Sequence, residues 1–191
     1  MKKTIENLTK AFIGESQARN RYSFYAKNAK KEGYEKIAEV FEVTAEQEKQ
    51  HAKWLLRLLN EIKEEGTEGT SVEVEASFVF GDTVGNLKAA IKGENYEHTK
   101  MYPEFAQIAE EEGYPLISQR LKSIAKAEEH HQERYEKLLK ELENKTIFEK
   151  GKEVWWVCRE CGYQSYGKKP PEICPSCDHP RAYYELKCEE Y

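Results

Sequence analysis

The chain has 191 residues, enough for one complete hydrophobic core and a small appended unit. Its formal net charge is −5, without the basic excess of a nucleic-acid-binding surface, which excludes that class of partner. No run of about 18 apolar residues occurs and no apolar stretch follows Met1, so we expect neither a membrane span nor a secretory signal, and a cytoplasmic location.

Four long amphipathic segments come first along the chain. Apolar residues recur at three- and four-residue steps, which predicts helices at residues 4–31, 35–63, 82–112 and 115–144. The first and second helices are joined by a few residues, as are the third and fourth, so each pair should form an antiparallel hairpin. The connector at residues 66–81 reaches about 50 Å when extended, which exceeds the roughly 42 Å of a 28-residue helix. The sequence therefore predicts a mainly α fold, a ferritin-like four-helix bundle with one long crossover.

The two hairpins repeat one motif. The only Glu-x-x-His sequences in the chain lie 80 residues apart, from Glu48 to His51 and from Glu128 to His131. Residues three apart share a helix face, so each motif directs a carboxylate and an imidazole towards one point.

The repeat also contains one insertion. Tyr22 matches Tyr102 at an offset of 80, whereas Glu15 matches Glu94 at an offset of 79. One extra residue therefore lies between Glu94 and Tyr102, which predicts a π-bulge, a feature that often marks functional sites. Glu97 lies inside this stretch and has no acidic counterpart in the first hairpin.

One glutamate of each predicted helix falls on its core-facing stripe: Glu15, Glu48, Glu94 and Glu128. An unpaired buried carboxylate is very costly, so four that converge predict a metal site. Di-iron carboxylate bundles use this ligand set, with a glutamate from each of two helices and Glu-x-x-His from each of the other two. Such oxygen and imidazole ligands suit iron or manganese. The opposing interpretation, surface residues of a Glu-rich chain, does not explain the repeat.

Other polar residues near these motifs have weaker assignments. Tyr22 and Tyr102 lie one or two turns from the acids, so they are either core aromatics or hydrogen-bond donors to ligating carboxylates. His98 and His130 are interpreted as surface or supporting groups rather than ligands.

After Lys145 the composition changes from Glu, Lys and Leu to Trp, Tyr, Pro and Cys, which predicts domains at residues 1–146 and 152–191. The second contains two C-x2-C pairs twelve residues apart: Cys158, Cys161, Cys174 and Cys177. Four thiolates at this spacing predict a closed tetrahedral tetrathiolate site, which both zinc and iron fit. Cys188 lies outside the pattern and is interpreted as a bystander.

The combination resembles rubrerythrin over essentially the whole chain. The resemblance rests on Gly-Glu15-Ser-x-Ala-x-x-Arg-Tyr, Glu48-x-x-His51, Gly-Glu94-x-x-Glu97, Glu128-x-x-His131 and the rubredoxin-like cysteine set. It implies a small C-terminal rubredoxin-like β domain that binds metal. It also implies two non-haem irons in the bundle and one iron in the four-cysteine site, where zinc would mark misloading. One departure is Asp178, where rubredoxins usually have Gly; Asp tolerates a left-handed backbone moderately well.

The resemblance also implies the roles of the ligands. Glu48 and Glu128 would bridge the irons. Glu15 and Glu97 would be terminal on one iron, and Glu94 and His131 on the other. On reduction, His51 would replace Glu97 as a ligand. The residues assigned to catalysis are Glu97, His51, Tyr22 and Tyr102.

The implied activity is reduction of hydrogen peroxide to water in oxidative stress defence, with electrons relayed through the iron of the four-cysteine site. The implied donor is reduced rubredoxin or an NAD(P)H-dependent rubredoxin reductase. Fifteen helical residues from His131 to Thr146 place the cysteine tail about 22 Å from its own di-iron site, so we expect a head-to-tail homodimer.

Two alternatives remain open at this point. A ferroxidase or iron-handling protein needs the bundle but gives the cysteine tail no role. A metal-loaded scaffold with a structural zinc ribbon is a non-enzymatic alternative. Colour separates zinc from ferric iron in the tail.

Overall fold

The computed structural model describes residues 2–189 of the chain. Its helices are α1 (Lys3–Lys31), α2 (Glu35–Ile62), α3 (Thr83–Tyr96), α4 (Tyr102–Glu111) and α5 (Pro115–Glu143), with a π-helical turn at Glu97–Met101. The strands are β1 (Val154–Cys158), β2 (Gln164–Gly167) and β3 (Tyr184–Leu186), and a short 3₁₀ turn spans Arg181–Tyr183. No helix in this described part of the chain is long and apolar enough to cross a bilayer.

The helices form two antiparallel hairpins, α1 with α2 and the α3–α4 rod with α5. Both hairpins turn at a glycine with positive φ, Gly33 at 82° and Gly113 at 84°. The backbone N–H after each glycine donates to the helix that has just ended, Tyr34 to Ala29 and Tyr114 to Ala109. This left-handed helix ending requires φ values that glycine adopts without a Cβ clash. The predicted mainly α, ferritin-like arrangement is confirmed.

The predicted third helix is one rod divided by the π-helical turn. The Tyr102 N–H donates to the Glu97 carbonyl, five residues back. Pro103 comes directly after Tyr102 and has no N–H to donate to the preceding turn. The wider turn therefore forms where the regular α-helical hydrogen bonds would already be interrupted. The predicted π-bulge is therefore confirmed.

The connector between the hairpins has no helix or strand, and most of its residues are exposed. Its end is held against α1, because the Tyr25 hydroxyl donates to the Val79 carbonyl at 2.6 Å and the Asn28 amide to the Gly81 carbonyl at 2.6 Å. The Asp82 side chain then caps α3 by accepting from the Gly85 N–H at 2.7 Å. The connector thus delivers the second hairpin alongside the first.

Buried apolar residues form two clusters in the bundle. One surrounds Tyr22, Tyr25, Phe41 and Tyr135, and the other surrounds Leu8, Leu55, Tyr102 and Leu121. The four core-facing glutamates belong to neither cluster.

The tail is a three-stranded antiparallel sheet in the order β2-β1-β3. It contacts the start of α2 through a network of charges. Arg159 Nη1 lies 2.9 Å from Glu39 Oε2 and 3.0 Å from Glu185 Oε2, and Lys36 Nζ lies 2.9 Å from Glu185 Oε2. The tail therefore sits at the bundle end where α1 turns into α2.

Candidate metal centres

The four predicted carboxylates meet in the middle of the bundle. Glu15, Glu48, Glu94 and Glu128, from α1, α2, α3 and α5, are completely buried. Each lies on the apolar stripe of its helix, so folding the bundle carries the carboxylate into the interior with its apolar neighbours.

The ligand atoms fall into two overlapping groups. One contains Glu15, Glu48, His51 and Glu128, and the other Glu48, Glu94, Glu128 and His131; within each group the atoms lie within 4.8 Å of one another. The shared members, Glu48 and Glu128, each have one oxygen near each imidazole. His51 Nδ1 lies 2.9 Å from Glu128 Oε1 and 3.1 Å from Glu48 Oε2, whereas His131 Nδ1 lies 2.8 Å from Glu128 Oε2 and 3.0 Å from Glu48 Oε1. The arrangement offers two adjacent cation positions with two carboxylates between them.

Several of these buried atoms make no hydrogen bond of acceptable geometry among the described residues, although some of them lie within 3.0 Å of one another. They are Glu15 Oε2, Glu48 Oε1, Glu94 Oε2, both oxygens of Glu128, and His131 Nδ1. A buried carboxylate oxygen left in this state is strongly unfavourable unless a cation coordinates it. The oxygen and imidazole donors fit iron or manganese, so the residues present fit a two-metal site.

The pKa values of the clustered side chains also favour a bound metal. Burial, and then repulsion by Glu48, raise the pKa of Glu15 and the pKa of Glu94 to about 8. Although burial opposes it, contacts with Glu128 and Glu48 raise the pKa of His131 to about 12. Without metal the cluster retains protons at neutral pH, and bound cations would replace them.

Glu97 lies beside the two groups but belongs to neither. Its side chain is 8% exposed, and burial followed by repulsion from Glu94 raises its pKa well above the usual range. The π-helical turn places it there, since the first hairpin has neither the extra residue nor the acid. His51, at 15% exposure, is the most exposed of the seven predicted ligands in the bundle.

Two buried tyrosines contact the outer carboxylates. The Tyr22 hydroxyl donates to Glu94 Oε1 at 2.5 Å, and the Tyr102 hydroxyl donates to Glu15 Oε1. Both interpretations left open by the sequence therefore hold, because each ring packs in a core cluster and each hydroxyl donates to a carboxylate. Each bond crosses between hairpins and holds one oxygen, which leaves the second oxygen facing the cluster.

One polar residue that sequence reasoning missed is Gln132, next to His131. Its Oε1 accepts from Asn95 Nδ2 at 3.2 Å and lies 2.7 Å from His98 Nε2, so it ties the start of the π-helical turn to α5. In the sequence, its position directly after the predicted ligand His131 was the feature that could have indicated this role. His98 and His130 lie outside both ligand groups.

The four predicted cysteines form a second, closed site. The Sγ atoms of Cys158 and Cys177 are 3.7 Å apart, as are those of Cys161 and Cys174. A tetrahedron with metal–sulfur bonds of about 2.3 Å has edges of about 3.8 Å, so the thiolates fit one tetrahedral ion. Asp178, at φ 59°, adopts the left-handed conformation expected of it, and its N–H donates to the Cys174 carbonyl at 2.9 Å. Cys188 lies outside the group.

Comparisons with known proteins give separate matches for the bundle and for the tail. The sequence profile of rubrerythrin matches residues 6–139, and that of the rubredoxin-like domain of rubrerythrin matches residues 156–185. The chain belongs to the rubrerythrin family. A putative rubrerythrin of Methanocaldococcus jannaschii is 57% identical over 195 residues, covering 100% of this chain and 96% of the relative.

Solved structures agree with the fold. A fully reduced nigerythrin matches with a TM-score of 0.64 and 32% identity, covering 96% of this chain and 86% of that one. The bacterioferritin of Desulfovibrio desulfuricans matches with a TM-score of 0.67 at 23% identity, covering 74% and 81%, which shows the ferritin-like fold alone. This rubrerythrin-family chain thus carries a carboxylate site of the di-iron type and a four-cysteine site of the rubredoxin type.

Proposed function

We propose that this protein is a non-haem di-iron peroxidase that reduces hydrogen peroxide to two waters, with electrons relayed through the iron of the four-cysteine site. The observation that carries the proposal is the pair of overlapping ligand groups, joined through Glu48 and Glu128, in a chain that also has a closed tetrathiolate site. An iron-storage role would leave the tetrathiolate site without a task.

The ligand roles follow the two groups. Glu48 and Glu128 would hold both ions, because each has one oxygen near either imidazole. Glu94 and His131 would complete one position. Glu15 would complete the other, with His51 and Glu97 as alternative ligands; in support, both side chains lie beside Glu15, and only His51 is within its group.

When bound, the two irons supply a binding position for peroxide and two electrons. The residues around them control protons and water. Each peroxide takes up two protons and two electrons to give two waters, so a proton donor is needed near the site. Glu97 suits this role, because burial favours its protonated form and the π-helical turn holds it beside the ligands. Tyr22 and Tyr102 keep Glu94 and Glu15 oriented.

The four-cysteine site acts only as a relay, since four thiolates fill its coordination positions. The tail that carries this site contacts Glu39. Glu39 precedes His51 by twelve helical residues, which is about 18 Å along α2. This separation within one chain supports a head-to-tail homodimer, in which each tail serves the bundle of its partner. The electron donor is reduced rubredoxin or an NAD(P)H-dependent rubredoxin reductase.

The test is turnover of peroxide and of dioxygen by anaerobically reduced protein with measured iron content. We expect faster consumption of peroxide, with two donor electrons used per peroxide. Faster consumption of dioxygen coupled to oxidation of added ferrous iron would establish a ferroxidase instead. A colourless oxidised tail after iron loading would remove the relay from the proposal.

A further inference from the structure

A basic and aromatic patch lies where α2 and α5 run side by side. Trp54 of α2 is 36% exposed. The guanidinium of Arg57, also of α2, lies 4.9 Å from the centre of the Trp54 ring, and that of Arg120, from α5, lies 4.3 Å from it. Two helices of different hairpins therefore bring two cations to one exposed indole.

These cations lack acidic partners. Within residues 2–189, no carboxylate lies within 4.0 Å of the charged groups of Arg57, Arg120 or the neighbouring Lys53. Many other surface lysines are paired, and the chain as a whole is acidic at −5. Unpaired cations grouped around an exposed Trp form the electrostatic and apolar complement of an acidic protein surface.

The patch lies close to the carboxylate site and on the far side of it from the tail. Trp54 follows His51 by three residues, a rise of about 4.5 Å along α2. The tail contacts α2 at Lys36 and Glu39, on the other side of His51. A partner seated on the patch would thus meet the bundle near His51, the most exposed of the seven predicted ligands in the bundle.

We propose that the patch formed by Trp54, Arg57 and Arg120 is a docking surface for a small acidic electron-transfer protein, an inference that rests on the proposed function. Trp54 supplies the apolar anchor and the cations steer the partner. Each docked donor would pass one electron to the four-cysteine iron of the partner's tail, which the proposed head-to-tail dimer brings to this bundle, and would leave oxidised. Two dockings then supply the two electrons that one peroxide takes up with two protons. A second copy's tail fits less well, because residues 152–191 carry six basic and seven acidic residues and are therefore nearly balanced in charge.

The test is binding of an acidic, zinc-substituted rubredoxin to the iron-loaded full chain, measured by calorimetry at low and high salt. The double variant Arg57→Glu/Arg120→Glu should weaken binding at least about tenfold and flatten its dependence on salt. Trp54→Ala should weaken binding about tenfold with the salt dependence retained. The matched control is Lys27→Glu/Lys92→Glu, which changes the net charge equally at exposed positions of α1 and α3 and should alter affinity less than about twofold.

The outcomes separate this inference from the proposed function. Absence of peroxide turnover by wild-type protein with a small-molecule reductant would remove the function. If the protein does turn over with that reductant, three results would overturn the docking surface. Rubredoxin would not bind the wild-type protein, it would bind the patch variant with unchanged affinity, or its affinity would fall equally in the control variant. Loss of self-association in the patch variant, with donor binding retained, would assign the patch to a second copy and also overturn it. Iron content and thermal unfolding verify that each variant is folded.

Discussion

The two candidate metal centres are built in opposite ways. The bundle site collects side chains from four helices between Glu15 and His131, whereas the tail site uses the short stretch from Cys158 to Cys177. The bundle site has more predicted ligands than its two groups hold, with Glu97 left beside them. The tail site has four thiolates for one tetrahedral ion. In the proposed function, convergence over long range would leave coordination open for chemistry, while two local turns would close it for electron transfer.

The supporting interactions differ as well. The turns that hold the thiolates are backbone turns: the Gly162 N–H donates to the Cys158 carbonyl at 2.8 Å, and the Asp178 N–H to the Cys174 carbonyl at 2.9 Å. The outer carboxylates of the bundle are instead held by the side chains of Tyr22 and Tyr102. Substitutions should therefore disturb the bundle site in steps but the tail site as a unit.

Removing a shared carboxylate should have the largest effect on the bundle and none on the tail. Glu48→Ala takes one ligand from both groups, so we expect loss of bundle iron and at least about a 100-fold loss of peroxide turnover. Iron analysis and the visible spectrum should show the iron of the four-cysteine site retained. Glu46→Ala, on the same helix but exposed and paired with Lys49, is the control and should keep both properties.

Removing a thiolate should have the converse effect. Cys174 is completely buried in the core of the tail, so Cys174→Ala should abolish its metal binding and order. Turnover with a protein donor should fall at least about tenfold, while a single turnover by chemically prereduced bundle should be retained. Stopped-flow measurement of both reactions checks this; parallel loss of the two would contradict separate roles for the centres.

Removing a supporting hydroxyl should have an intermediate effect. Tyr22→Phe frees Glu94 Oε1 from its hydrogen bond without opening a cavity, and we expect metal affinity or turnover to fall about 10- to 100-fold. Tyr25→Phe is matched in burial, but its hydroxyl donates to the connector carbonyl of Val79. It should leave metal binding unchanged, so equal effects of the two substitutions would argue against a role at the site.

The smallest effect is a change of stability with pH in protein that has zinc in the tail and no iron in the bundle. Glu15 and Glu94 have folded pKa values near 8, raised from about 4.5 by burial. Between these values the folded state binds more protons than the unfolded state, so stability should fall as pH rises from about 5 to about 8. We expect the thermal midpoint to drop by several degrees, and loading with ferrous iron to restore it. Stability of the iron-free form that rises with pH would contradict the buried cluster; Glu15→Gln should flatten the profile.

Much of this molecule was accessible from the sequence because its signals are periodic or local. Apolar spacing predicted the helices to within a few residues, and the offset of 79 between Glu15 and Glu94 predicted the π-helical turn that the structure contains. The cysteine spacing predicted the tetrathiolate group because two short turns suffice to build it. The resemblance to rubrerythrin is confirmed by the family matches. Peroxidase activity, the individual ligand roles and the dimer stay predictions.

The sequence by itself determined which side chains face the core, since helical periodicity assigns each residue a face. Only the tertiary structure decided how those faces meet. The packing of α5 against α2 brings Glu128 to His51, and it sets Arg120 against Trp54. Such contacts depend on the rotation and height of one helix relative to another, which many side chains fix together through packing and which no local pattern encodes.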